Sequence, residues 1–227
     1  MDLVPAAARS KRKPKRIPKQ ALPTTPLARL LTRSDSTTRI TALDAFELAK
    51  QKWLIGERID IGKLADELGV ARATVFRWVG TREQLYSEVI SAAFAQSIEW
   101  ARRASTGTGA DLLTDVTRNL LTALVASQPL RTFIKQDTEF ALRIVMSSAS
   151  PVEGRVIAAV RELIEGEAAA GYMQPKIDVD SLAYVIVRIA ESFLYRDVLT
   201  GDPPDVETAT KAIGMVFAAQ AAPKRKR

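Results

Sequence analysis

The stretch Asp60-Ile61-Gly62-Lys63-Leu64-Ala65-Asp66-Glu67-Leu68-Gly69-Val70-Ala71-Arg72-Ala73-Thr74-Val75-Phe76-Arg77-Trp78 decides how this chain is read. Leu64, Ala65 and Leu68 share one face of a short helix at about 61–68, by the three-and-four spacing of an apolar helical stripe. Gly69 follows where a chain leaving a helix turns through positive φ, which a residue without Cβ adopts freely. Val70 plugs the turn, and Val75 and Val79 carry the inner face onto a second helix at about 72–78. Ala65 is small where the two helices must approach. This is the pattern of a helix-turn-helix. With the valines turned inward, Arg72, Ala73, Thr74, Phe76, Arg77 and Trp78 fall on outward or flanking faces, with Lys63 on the preceding helix beside them. A guanidinium suits guanine or phosphate, a hydroxyl phosphate, and a methyl group thymine. Residues 69–82 hold Arg72, Arg77 and Arg82 and no acid. A generic helical hairpin with its aromatics in the core is the competing reading, and the run Thr74-Val75-Phe76-Arg77-Trp78 weighs against it.

Upstream, Leu43, Phe46, Ala49 and Trp53 step by 3, 3 and 4 along one helical face, with Thr37 or Thr38 as N-cap and a stop near Gly56. Downstream, Thr81-Arg82-Glu83-Gln84 is a capping box. It opens a long helix whose face Tyr86, Ile90, Ala93, Ser97 and Trp100 continues until Gly107 and Gly109 break it. Further helices are expected at 110–126, as a broken pair across 129–147, and at 151–170, 178–200 and 205–220, with Pro129, Pro151, Pro175, Pro203 and Pro204 at their boundaries. No segment alternates like a strand, so the expected class is all-α. The expected organisation is a disordered basic tail over 1–36, a DNA-binding domain over 37–90, a regulatory domain over 91–222 and a basic tail over 223–227.

Charge is concentrated at the ends. Of a formal net charge of +7, the last four residues supply four positive charges, while residues 1–36 hold nine Lys/Arg against Asp2 and Asp35. The intervening body is acidic. The tails read either as solvated, solubilising segments or as arms that track phosphates and add non-specific affinity. With no Cys and no His anywhere, disulfides, Cys/His metal sites, thiol nucleophiles and imidazole bases are excluded. No phosphate-binding loop or nucleophile elbow appears, so neither an enzyme nor a cofactor or metal is expected. No apolar run is long enough to span a bilayer and no secretory signal is legible, so the expected location is the cytoplasm.

In the second half, Tyr184, Arg188, Glu191 and Tyr195 are spaced 4, 3 and 4 on one face of an apolar helix. The stripe reads as a surface or seam ion pair, or as polar groups orienting a mainly apolar ligand. Trp100, Phe133, Phe140 and Arg143 are further ligand-binding candidates, although aromatics at helical spacing are more often core. Glu162, Glu165 and Glu167 read as a solvated helix face rather than a metal cluster.

Over about 38–90, and in the order of helices beyond it, the chain resembles the TetR family of bacterial repressors. The runs Ala71-Arg72-Ala73-Thr74-Val75-Phe76-Arg77-Trp78-Val79-Gly80 and Arg188-Ile189-Ala190-Glu191-Ser192-Phe193-Leu194-Tyr195 make it most similar to the QsdR-type subgroup, associated with quorum-signal-degradation genes. The resemblance implies a homodimer reading a palindromic operator in duplex DNA and released by a small-molecule effector, with a lactone-type signal as leading candidate. It implies base reading by Arg72, Ala73 and Thr74, backbone contacts by Phe76 and Trp78, and a phosphate contact by Arg82. It also implies a four-helix dimer interface from 178–200 and 205–220, for which Ile213, Val216 and Phe217 supply an apolar face; burial in the protomer's own core competes for the same residues. Two positions depart from the family pattern. Ala71 stands where a Ser N-cap is frequent, at a cost of about 1 kcal/mol to that helix. Gly62 stands where other members often carry a polar DNA-contacting side chain. The alternatives are a sequence-tolerant architectural DNA-binding protein driven by the tails, and an all-α enzyme or carrier, which the missing His and Cys disfavour.

Overall fold

The computed structural model describes residues 25–26, 40–147 and 150–223. Both tail readings concern residues that lie, but for 25, 26 and 223, outside the described ones. Eleven helices form the described chain, and the only β-type pairing among the described residues is a single bridge between Met173 and Ala221. They are α1 Ala42–Leu54, α2 Ile61–Leu68, α3 Arg72–Val79, α4 Arg82–Ala104, α5 Gly109–Ala126, α6 Gln128–Gln136, α7 Thr138–Met146, α8 Pro151–Ala169, α9 Val179–Leu194, α10 Arg196–Leu199 and α11 Val206–Ala218.

Most helix starts are set by local side-chain chemistry. The N-cap of α1 is Thr41, not Thr37 or Thr38: its hydroxyl accepts from the Leu43 N–H, and Asp44 accepts from the Thr41 N–H at 2.7 Å. This reciprocal pair satisfies the orphan donors at the start of α1, and Thr37 and Thr38 lie outside the described residues. The expected capping box at Thr81 and Gln84 is present, with bonds of 3.2 and 2.8 Å. Ser150 caps α8 ahead of Pro151, and Asp178 and Asp205 cap α9 and α11. The helix expected over 178–200 is two: it breaks at Tyr195, beyond which Arg196 is tied to Asp202 at 3.0 Å. Glu167, at the end of α8, accepts from the Gly109 N–H at 2.6 Å, so this carboxylate anchors the start of α5.

The buried residues form two principal clusters. One joins α1–α4 to α6, α7 and Tyr195, through Phe46, Trp53, Leu64, Val75, Tyr86, Phe133 and Phe140. The other joins α5, α8, α9 and α11 around Leu113, Ile164, Leu182, Ile213 and Phe217. Ile213 and Phe217 are thus fully buried inside the protomer and are not available to a partner; Val216 is half-buried against the same cluster. The competing core reading of these residues is the one the packing bears out. None of the described helices is long and apolar enough to cross a membrane.

Candidate nucleic-acid interface and interior cavity

The helix-turn-helix is assembled from short-range packing. Leu64 and Ala65 of α2 and Val75 and Val79 of α3 are fully buried, and Gly69 makes the turn at φ 64°. Lys52 on α1 reaches Glu67 on α2 at 2.6 Å and Glu57 at 3.2 Å. Its ammonium is held above the usual lysine range, chiefly by the Glu67 hydrogen bond. The buried Tyr86 hydroxyl of α4 accepts from the Ile59 N–H at 2.9 Å, fixing the loop that enters α2 on the long helix.

This scaffold leaves one face of α3 outward. Arg72, Ala73, Phe76 and Arg77 are exposed, Thr74 and Trp78 are half-buried, and Lys63 of α2 is exposed beside them. Phe76 is 53% exposed, a large apolar surface left to solvent. Among the described residues neither Arg72, Arg77 nor Lys63 is in an ion pair, whereas the body around them is laced with such pairs. Trp78 packs its inner edge on the first cluster and borders a shallow groove with Ile40, Thr41 and Thr74. Ala71 is the N-cap of α3 and makes no side-chain cap bond. Arg82 differs from the other candidates. Its guanidinium lies 4.4 Å from the Phe140 ring centre and 5.2 Å from that of Tyr86, at the junction with α7.

That junction is aromatic. Phe133 stacks on Tyr86 with ring centres 4.7 Å apart, and Trp53 meets Phe133 edge-on at 5.1 Å. Arg143 pairs with Glu83 at 2.7 Å, and the Gln136 amide donates to the Gly56 carbonyl at 3.0 Å. Gly56 allows this approach: a Cβ there would stand 3.3 Å from Thr132. The ligand-binding candidates Phe133, Phe140 and Arg143 thus connect α6 and α7 to the helix-turn-helix and do not line the cavity below.

Behind the junction lies an interior cavity of about 130 Å³. Its wall is drawn from α1, α4–α9 and α11, and is apolar almost throughout, as with Phe94, Leu121, Val152 and Val187. Trp53 belongs to both the cavity wall and the aromatic junction. Of the sequence candidates, Glu191 and Tyr195 line this cavity. Trp100 is half-exposed over a separate surface hollow, and Tyr184 is exposed with the Arg188 guanidinium 5.2 Å from its ring centre. Arg188 stands behind the wall, bonded to Glu153 at 2.8 Å and 3.0 Å from Glu191. Burial pushes the Glu191 carboxyl up to about 7, against the pull of Arg188 and with the help of Glu153. The apolar wall residues were not singled out from sequence, because a leucine lining a void and a leucine filling one have the same spacing.

Residues 108–218 match the family model of the tetracyclin repressor-like C-terminal domain. The structure of the transcriptional repressor QsdR of the TetR family from R. erythropolis is similar at 25% identity and a TM-score of 0.74, covering 82% of this chain and 97% of that one. AlkX from Dietzia, a TetR-family repressor implicated in n-alkane biodegradation, shares the fold at 19% identity and a TM-score of 0.52, over 82% and 99% of the two chains. SmeT, the repressor of the multidrug efflux pump SmeDEF of Stenotrophomonas maltophilia, does so at 13% and 0.52, over 82% and 93%. No curated protein sequence matches. All three neighbours are repressors. With a helix-turn-helix carried on the long helix α4 and residues 108–218 matching the tetracyclin repressor-like C-terminal model behind it, the chain has the fold of the TetR-family transcriptional regulators.

Proposed function

We propose that the chain is a homodimeric repressor that binds a two-fold operator through α3 and releases it when a small effector fills the interior cavity. The observation that carries this reading is the outward face of α3: two arginines, a hydroxyl and an exposed Phe, free of acids and of ion pairs among the described residues. Helices entering the major groove read bases with their first residues, here Arg72, Ala73 and Thr74. Lys63, Phe76, Arg77 and Trp78 flank them, suited to the phosphate backbone. A single helix reads only a few base pairs, so specificity calls for two half-sites one turn apart. The exposed Tyr184 and Val185 of α9 and Met215 of α11 offer the apolar face for the second copy.

Release follows from Trp53. An effector in the cavity presses on a residue of α1 that also edges the aromatic junction, so the filled and empty states differ in how the helix-turn-helix is seated. By size, a cavity of about 130 Å³ takes a compact molecule; an apolar cavity of roughly 150 Å³ holds benzene. A lactone-type signal, implied by the QsdR-type resemblance, is the finer reading of that effector. The test is fluorescence anisotropy on duplex DNA flanking the gene, near 150 mM salt, where tail-driven binding is weakened. Tight binding that scrambled DNA does not displace, and that Arg72→Ala with Thr74→Ala removes, is the expected result. Equal affinity for both duplexes would instead identify a sequence-tolerant architectural protein.

A further inference from the structure

The charged corner of the cavity is electrostatically unbalanced. Glu191 is 8% exposed and lines the cavity. The Arg188 Nη2 nearest to it, 3.0 Å from Oε2, donates its hydrogen bond to Glu153 Oε1 at 2.8 Å. Glu191 Oε2 accepts none among the described residues. Two buried carboxylates therefore share one guanidinium. When both are ionised the corner holds an uncompensated negative charge, the costliest state for a buried group. A proton on Glu191 relieves it, and so would a bound cation, but the guanidinium already beside Oε2 repels a second cation there. Protonated, Glu191 becomes a hydrogen-bond donor. Tyr195 is four residues on, on the same side of the chain, buried and lining the cavity, with burial holding its phenol in the protonated form. Arg188 and Tyr195 on the α9 segment and Glu153 on α8 are the charged or titratable groups around Glu191; the wall residues from α1, α4–α7 and α11 include none among the described residues.

We propose that the cavity selects an uncharged amphiphile, a short apolar body with a hydrogen-bond-accepting carbonyl head held by the Glu191 carboxyl and the Tyr195 hydroxyl, and that it rejects carboxylates. The inference rests on the cavity being the effector site. It makes binding fall with rising pH through about 7, where Glu191 ionises.

Titration calorimetry of the full chain without DNA tests this, with methyl butanoate, butanoate, butylamine and benzene at pH 6 and pH 8. Methyl butanoate is expected to bind at least about tenfold more tightly than butanoate, and about tenfold more weakly at pH 8 than at pH 6. Glu191→Gln keeps an amide donor at that position, so it should bind the ester within about threefold of the parent at pH 6 and lose the pH dependence. Butanoate matching the ester, or a pH-independent parent, overturns the proposal. So does butylamine binding best and losing affinity in Glu191→Gln, which would make the corner a cation site. Benzene binding with no gain from the ester head also overturns it, yet leaves the cavity as an apolar effector site. Failure of both benzene and ester to bind removes the effector-site reading and the proposal together.

Discussion

Glu191 is the residue at which burial, charge and pH meet. With no His in the chain, it is the described side chain whose ionisation moves into the neutral range. Below its ordinary value of 4.5 the carboxyl is protonated whether the chain is folded or not. Between there and about 7 the unfolded chain ionises while the folded one keeps its proton, so this group lowers stability as pH rises through that window. Glu191→Gln is therefore expected to melt close to the parent at pH 5 and several degrees higher at pH 8, since roughly 1 kcal/mol moves Tm by about 2–4 °C in a chain of this size. Thermal melts at the two pH values check it, and a gap that fails to widen with pH contradicts it. At the recognition helix, Arg72→Ala should weaken specific operator binding by about 1–3 kcal/mol while leaving the melting temperature unchanged. Competition anisotropy against scrambled duplex measures it.

At the scale of elements, two helices carry avoidable weakness or unusual leverage. Helix α3 begins at Ala71 without a side-chain cap. Ala71→Ser should stabilise it by about 1 kcal/mol, seen as a higher urea midpoint with an unchanged slope. The pair α6–α7 is the larger device: it holds Phe133 and Phe140 against Tyr86, and Phe140 under Arg82. The family resemblance implies a phosphate contact for Arg82; its place over two rings ties α7 to the first turn of α4. Phe140→Ala should cost about 3–5 kcal/mol in urea denaturation and blunt effector-driven release more than effector binding. Equal loss of both would mean that α7 shapes the cavity and not the link. Phe133 and Phe140 read from sequence as ligand candidates, with core as the more frequent role of aromatics at that spacing. Spacing reports which residues share a helical face, and the partner of that face is fixed by chains of residues far away.

On the scale of the whole molecule, the apolar surface left uncovered is the face on which the proposed second copy would dock. Ile213 and Phe217, which sequence alone left open to the interface, are consumed by contacts with Leu113, Ile164 and Leu182. Met215, 69% exposed on the same helix, faces away from them, with Tyr184 and Val185 exposed on α9. Replacing Met215 and Val185 with Asp should yield a folded monomer by sedimentation, with operator affinity reduced by about a hundredfold or more because one half-site remains. An unchanged dimer would move the interface to another face.

Much of this was fixed by local chemistry and so was legible in the sequence. The capping box at Thr81, the left-handed turn at Gly69, the four-residue spacing of the buried Val75 and Val79 in α3 and the all-helical class depend on contacts within a few residues, which spacing encodes directly. Even the family resemblance rested on that short-range text. The tertiary structure alone decided which of Glu191, Tyr195, Trp100 and Tyr184 meet a cavity, that Trp53 joins that cavity to the helix-turn-helix, and that Ile213 and Phe217 belong to the core. Those outcomes depend on where helices distant in the chain come to rest. A void is defined by side chains that fail to meet across it, and helical periodicity carries no record of that distance.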